Sequence, residues 1–248
     1  MSAVVKLGIN SAEPLYRAAR NRLLEALASG DYSPGHALPP EKDLAAEFGI
    51  SIGTLRKAVD ELVSEGILIR QQGRGTFVAS HDRERLMYYF FHVVPFDRAK
   101  TEYPVVELVS FARGKADQHI ADKLQIKTGD PIFKMRNQLS LAGQTVMIDD
   151  IALPSHRFSG LTAEKIRKRS STIYQLYQAQ FGLTVAHTEE RLRAVSAPSD
   201  IAALLQVAPN SPVLMIRRLA SGYQREPIEW RVSHVDTRSH EYLSESVV

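Results

Sequence analysis

Residues 40–66 read PEKDLAAEFGISIGTLRKAVDELVSEG, and the fold of the first third of the chain turns on how this stretch divides. Pro40 suits the opening of a short helix through Phe48, where Glu41 and Asp43 sit at the positive end of the helix dipole. Gly49 tolerates a left-handed stop, and Ser51 can cap a further helix running to Glu65. Two helices therefore meet across a tight Gly-Ile-Ser turn. On the later helix Leu55, Ala58, Val59 and Leu62 fall on one face, which leaves Ile52, Gly53, Arg56, Lys57 and Asp60 pointing outward. Upstream, Leu15, Ala19, Leu23 and Leu27 recur every four residues and predict a first helix between Pro14 and Gly30. Downstream, Ile67 to Arg70 and Thr76 to Ala79 read as strands around Gln-Gln-Gly-Arg-Gly, a hairpin with Arg74 at its tip.

Three helices followed by a hairpin describe a winged helix-turn-helix. Such a unit lays its last helix in the major groove of double-stranded DNA, N-terminal half first, and uses the hairpin to grip the backbone or minor groove. The candidate DNA-binding residues are then Ser51, Thr54, Arg56 and Lys57 on the helix and Gly73, Arg74 and Gly75 in the wing. Bulk charge adds nothing to this reading, because residues 1–80 hold nine basic and nine acidic side chains and the net charge of +3 arises elsewhere.

Taken together, Leu38-Pro39-Pro40-Glu41-Lys42-Asp43-Leu44-Ala45, Ile50 to Ala58, Leu62-Val63-Ser64-Glu65-Gly66 and Gly73-Arg74-Gly75-Thr76-Phe77-Val78 resemble the GntR family of bacterial regulators over residues 14–79. The resemblance places Lys42 where the family usually has a contacting arginine, adding it to the DNA-binding set. Two positions depart from the pattern. Pro40 replaces a common serine and Ile52 a common arginine, the latter a residue type that pairs bidentately with guanine.

The remainder starts a new core. A charged linker near residues 80–86 precedes an apolar strand expected over Leu86 to Val94. Further strands are expected at Val105 to Ala112, Pro131 to Leu141, Thr145 to Leu153, Thr184 to Val195, Pro212 to Ala220 and Pro227 to Val235. Helices are expected at Ala116 to Leu124, Thr172 to Phe181 and Ser199 to Leu205, and hairpin turns at Ala142-Gly143 and Ser221-Gly222. Ile120 to Ile126 followed by Pro131-Ile132 matches Ile201 to Val207 followed by Pro212-Val213 at a constant offset of 81 residues. A strand-helix-strand-hairpin unit thus occurs twice, which suggests two equivalent lobes and places Arg136 and Arg217 at equivalent points of a site between them.

This order of elements resembles the UTRA ligand-sensing domain, of chorismate-lyase-like fold, that follows the winged helix in the HutC subfamily of GntR regulators. Ile201-Ala202-Ala203-Leu204-Leu205, Pro212 to Arg218 and Glu226-Pro227-Ile228-Glu229 carry the resemblance, and Val235-Asp236-Thr237-Arg238 replaces the subfamily's Tyr-Arg-Gly-Asp. The expected class is α+β, with a DNA-binding domain at 10–80, a linker at 81–86 and a mixed α/β effector domain at 87–246. Ser171 and Thr172 at a helix start favour an anion; Arg136, Arg217, Tyr174 and Glu229 complete the candidate effector set. Two bland alternatives stay open: Ser171 or Thr172 merely caps the helix, and Arg136 pairs with Asp149 across its hairpin.

Other classes find little support. The chain has no cysteine, so disulfides and thiolate metal sites are excluded, and its eight histidines lack the paired spacing of a metal site on one element. No phosphate loop, dinucleotide fingerprint or Gly-x-Ser-x-Gly elbow occurs, so no cofactor is expected. No uncharged apolar run approaches the roughly 18 residues of a membrane helix, and Met1 to Asn10 lacks the apolar stretch of a signal peptide, so a cytoplasmic protein is expected. The leading reading is a homodimeric repressor controlled by a small molecule; the alternative is a chorismate-lyase-like enzyme carrying an accessory DNA head.

Overall fold

The computed structural model describes residues 14–80, 90–96 and 103–244, and the chain folds as two compact units divided after Ser80. The first contains α1 (Leu15–Ser29), α2 (Glu41–Phe48), α3 (Ile52–Ser64) and an antiparallel hairpin of β1 (Leu68–Gln71) and β2 (Gly75–Val78). Ala19, Leu23, Leu24 and Leu27 of α1 are buried, as are Leu44 and Phe48 of α2 and Leu55 and Leu62 of α3, and α1 and α2 both pack on α3, whereas Leu15, at the very start of its helix, stays 42% exposed. Gly30 and Gly49 end their helices with φ of 87° and 68°, a left-handed conformation that glycine adopts without steric cost. Arg20 on α1 holds Glu65 at the end of α3 at 2.7 Å. The strands start one residue later than expected, or earlier for β2. Ile67 spends its N–H on the carbonyl of Leu62 at the end of α3, and Gly75 joins the ladder opposite Gln71. The loop before α2 covers the open edge of β2: Gly35 donates to Val78 at 2.8 Å and Leu38 to Thr76 at 2.8 Å.

The second unit is built on a six-stranded, wholly antiparallel sheet in the order β4-β5-β6-β9-β8-β7. Its elements are β3 (Val93–Pro95), β4 (Val105–Lys115), α4 (Gln118–Leu124), β5 (Pro131–Leu141), β6 (Gln144–Pro154), α5 (Ala163–Arg167), α6 (Ile173–Phe181), β7 (His187–Ser196), α7 (Ser199–Leu205), β8 (Pro212–Ser221), β9 (Pro227–Val235) and β10 (His240–Tyr242). Antiparallel pairing throughout is what makes the class α+β. Both faces are covered. Ile132, Ala152 and Trp230 pack under α4, and Ile148 and Val213 under α7, while Phe133, Met135, Ile151 and Leu153 pack on the other face under α5 and α6. Each of the larger aliphatic or phenyl side chains taken from water contributes about 1.5–3 kcal/mol.

The internal repeat is visible in the backbone. At the 81-residue offset α4 falls on α7, and both helices stop at a glutamine in the left-handed region, Gln125 at φ 53° and Gln206 at φ 56°. The turn bonds repeat as well: Ile126 donates to Ala121 at 3.1 Å, and Val207 to Ala202 at 3.0 Å. Each repeat is a strand, a helix and a hairpin, and the two meet at the β6–β9 pair in the middle of the sheet.

Several sequence expectations need correction. Of the strand expected over Leu86 to Val94, residues 86–89 lie outside the described residues, as does most of the expected linker, and the strand seen is the short β3, paired with β10 near the C-terminus. The turn expected at Ser221-Gly222 is longer; Ser221 still belongs to β8, and Gly222 donates to Glu226 at 2.9 Å. Neither α5, whose single buried residue is Ile166, nor β10 was anticipated, because elements this short carry no readable periodicity.

Candidate functional site

In the first unit Ser51 caps α3 by accepting from the Thr54 N–H at 3.1 Å, and the two hydroxyls bond each other at 2.8 Å. That mutual bond leaves only one hydroxyl proton between them for an outside acceptor. Lys42, Arg56, Lys57, Gly73, Arg74 and Gly75 are all exposed, on a surface formed by α2, the outward face of α3 and the wing. Arg56 Nε donates to Glu41 Oε2 at 2.9 Å, while Arg70 reaches Glu41 at 3.2 Å and Asp60 at 2.6 Å, so the wing strand is tied to α2 and α3. Lys57 Nζ lies 3.9 Å from the centre of the Tyr16 ring, and the Arg74 guanidinium lies 5.5 Å from that of Phe77. Gly73 and Gly75 turn the wing with φ of 71° and 112°.

In the second unit a cavity of about 350 Å³ opens between the sheet and the segment leading into α6, a size suited to a small molecule. Its polar wall includes Asn137, Asp149, Arg169, Ser171, Thr172, Arg218 and Arg231; Phe91, Leu139, Met147 and Tyr174 supply apolar surface. Thr172 caps α6, accepting from Gln175 N at 3.0 Å, and so does both things its position offers: it closes the helix start and lines the cavity.

Behind this wall lies a chain of buried charge. Arg231 donates to Glu229 at 2.8 and 3.0 Å and to Asp149 at 2.9 Å, and Ser233 donates to Asp149 at 2.6 Å. Tyr174 and Tyr177 hydroxyls donate to the two oxygens of Glu229 at 3.1 and 2.8 Å. Arg218 donates to Glu190 and to the Phe90 carbonyl, and Glu190 also accepts from Tyr242. Burial pushes the Tyr174 hydroxyl up to about 12, with the Glu229 charge adding to it, so it stays protonated, donating to Glu229 while accepting from Arg218 at 3.5 Å. Burial also raises the Asp149 carboxyl, against the pull of Arg231 and Ser233. For Glu190 burial is outweighed by Arg218 and the Tyr242 hydrogen bond, which hold it below the usual carboxylate range. Arg169 differs: burial lowers it, and its hydrogen bond goes to the Ile166 carbonyl, a neutral partner. Asn137 is 2% exposed, and among the described residues nothing donates to its Oδ1.

The structure brings Ser171, Thr172 and Tyr174 to the cavity and sets Glu229 one layer behind, as the anchor of Arg231. It does not bring Arg136 or Arg217 there. Both project from the face covered by α4 and α7. Arg136 pairs with Asp150, its neighbour across the hairpin, at 2.7 Å and with Asp200 of α7 at 2.8 Å; the expected partner Asp149 lies one residue away and faces the cavity. Arg217 sits opposite Arg191 and Val232. Of the arginines that do line the cavity, Arg218 is displaced by one residue from Arg217 and Arg231 by two from Glu229, while Arg167 and Arg169 come from the segment before α6. The spacing Glu229-x-Arg231-x-Ser233 signalled one shared strand face.

Comparison with known proteins matches residues 15–78 to the model of the gntR family of bacterial regulatory proteins, and residues 100–241, more than half of the chain, to that of the UTRA domain. The chain belongs to the GntR regulators that carry a UTRA domain. This regulator is 28% identical over 218 residues to the "Probable fructoselysine utilization operon transcriptional repressor" of Escherichia coli K12, with 88% of each chain covered. It is 27% identical over 214 residues to the mannosyl-D-glycerate transport/metabolism system repressor MngR of the same organism, covering 85% of this chain and 86% of that one. Among solved structures, the ligand-binding domain of a GntR-family regulator from Bordetella bronchiseptica matches with a TM-score of 0.62 and 30% identity, over 64% of this chain and 99% of that one. The regulator YydK of Bacillus subtilis matches with a TM-score of 0.56 and 16% identity, over 94% and 99%. The protein is therefore a DNA-binding transcriptional regulator and not an enzyme, and the chorismate-lyase alternative falls away. Among the described residues no helix is long and apolar enough to cross a membrane.

Proposed function

We propose that the regulator is a repressor whose affinity for its operator is set by a small anionic molecule in the cavity beside α6. The observation that carries this reading is the company kept by Arg169: a half-buried cation that has no carboxylate partner among the described residues, next to Ser171, Thr172 and the positive end of the α6 dipole. Arg218 and Arg231 add to the local potential, though each is already matched by buried acids. At the far side Asn137 Oδ1 asks for a donor, so the anion is expected to carry a hydroxyl or amine as well. Repression is supported by the two E. coli relatives, both named as repressors.

Domain limits of 10–80 and 87–246 around a linker at 81–86 follow from the same reading, as does a place in the HutC subfamily. A homodimer in the cytoplasm is proposed because a two-fold operator needs two recognition helices about one duplex turn apart. Effector binding then shifts operator affinity, and operator binding shifts effector affinity by the same factor. The test is thermal unfolding of the intact protein against matched pairs of sugars and phosphosugars, with Arg169→Gln alongside. Stabilisation by phosphorylated members alone, lost in the variant, is the expected result. Equal response to charged and uncharged members overturns the anionic reading.

A further inference from the structure

Gly53 is the second residue of α3, on the first turn and facing outward, where it leaves the helix backbone bare. Nothing within the unit requires it. A Cβ placed there would meet only Ser51 Oγ, at 3.9 Å, and the backbone is ordinary helix. The open, bare backbone there leaves room for a surface outside the unit to approach the start of α3 closely. Beside it stands Ile52, a large apolar side chain 42% exposed on the first turn of a helix whose other outward residues are polar or charged. The hydroxyls flanking this pair, Ser51 and Thr54, are occupied mainly with each other.

The apolar group that B-DNA offers in its major groove is the 5-methyl of thymine. We propose that Ile52 and Gly53 form a thymine reader: the glycine lets the start of α3 come close to the base edges, and Ile52 packs on a thymine methyl. Arg56, one turn further along, lies about 6 Å up the helix axis, so its own contact falls roughly two base steps away. Glu41 holds Arg56 by Nε and leaves the two terminal nitrogens as a fork, so polar contact and apolar contact are separated along the groove. The inference rests on α3 being the recognition helix.

The experiment begins with selection of duplexes from a randomised pool by the full-length protein. Each thymine of the selected sequence is then replaced by deoxyuridine, which lacks only the methyl. One thymine per half-site is expected to lose about 3- to 10-fold in affinity on replacement, in line with loss of one buried methyl contact. Ile52→Ala is expected to bind the thymine and uridine duplexes equally, whereas Arg56→Ala weakens both while keeping their ratio. Indifference of the parent to every deoxyuridine, or an undiminished ratio in Ile52→Ala, overturns the thymine reader alone. Failure to enrich any sequence overturns the recognition-helix assignment along with it.

Discussion

Arg56 in the winged helix and Arg231 in the sensor sheet make the same bond, Nε to a glutamate oxygen, at 2.9 and 2.8 Å, in opposite surroundings. The Arg56 side chain is 58% exposed and that of Arg231 8%, and its acid partner Glu229 is fully buried. In water the first pair contributes about 0–1 kcal/mol, so its value lies in direction: Glu41 aims the guanidinium outward. In the sheet, Glu229 and Asp149 would be left as unmatched buried charges without Arg231, a loss of about 3–5 kcal/mol. One residue type therefore serves as an instrument where solvent screens it and as a structural part where solvent is absent.

The contrast can be broken most directly at Arg231. Arg231→Met is expected to lower the melting temperature of the sensor unit by about 10 °C, while Arg136→Met, whose acid partners are exposed, costs no more than about 1 kcal/mol. Equal melting of the two variants in calorimetry would remove the distinction. Next, Arg56→Ala should weaken operator binding by about 10- to 100-fold in a mobility-shift titration and leave the melting temperature within about 1 °C of the parent. A comparable loss of stability would mean that Arg56 is structural after all.

A smaller effect concerns acid. Because the folded-state pKa of Glu190 lies below its ordinary 4.5, the residue contributes stability that is present above pH 4.5 and lost as pH falls through the folded value. Urea titrations between pH 6 and pH 3 should show a shallower acid decline for Glu190→Gln than for the parent; parallel curves would contradict the pairing with Arg218 and Tyr242. Smallest is Gly53→Ala on the first turn of α3, expected to stabilise the winged helix by no more than about 0.5 kcal/mol while weakening operator binding. If it improves both, nothing outside the unit needs the bare backbone.

The DNA-binding half could be read almost residue by residue because its signals are local. Ser51 caps, Gly49 and Gly30 stop helices, and the buried set Leu55, Ala58, Val59 and Leu62 is a 3.6-residue pattern. The repeat in the sensor half was legible for the same reason, since the two Gln-ended helices share the pattern Ile-Ala-x-x-Leu-Gln. The cavity was not. Both faces of its sheet are covered, so alternation showed that Arg136 and Asn137 oppose each other without showing which face carries the opening. Choosing Arg217 over Arg218 followed the repeat. What makes the site, however, is the segment between β6 and β7, which the repeat does not include.

By itself the sequence determined which residues cap, turn, alternate and recur, because these depend on neighbours a few positions apart. Only the tertiary structure decided that Arg218 and Arg231 face the cavity while Arg136 and Arg217 face α4 and α7, and that Glu229 is an anchor behind the wall. Those outcomes depend on which strands lie side by side and which helix covers which face, and on the desolvation that follows. Such terms are set by residues tens of positions apart, and no local pattern records them.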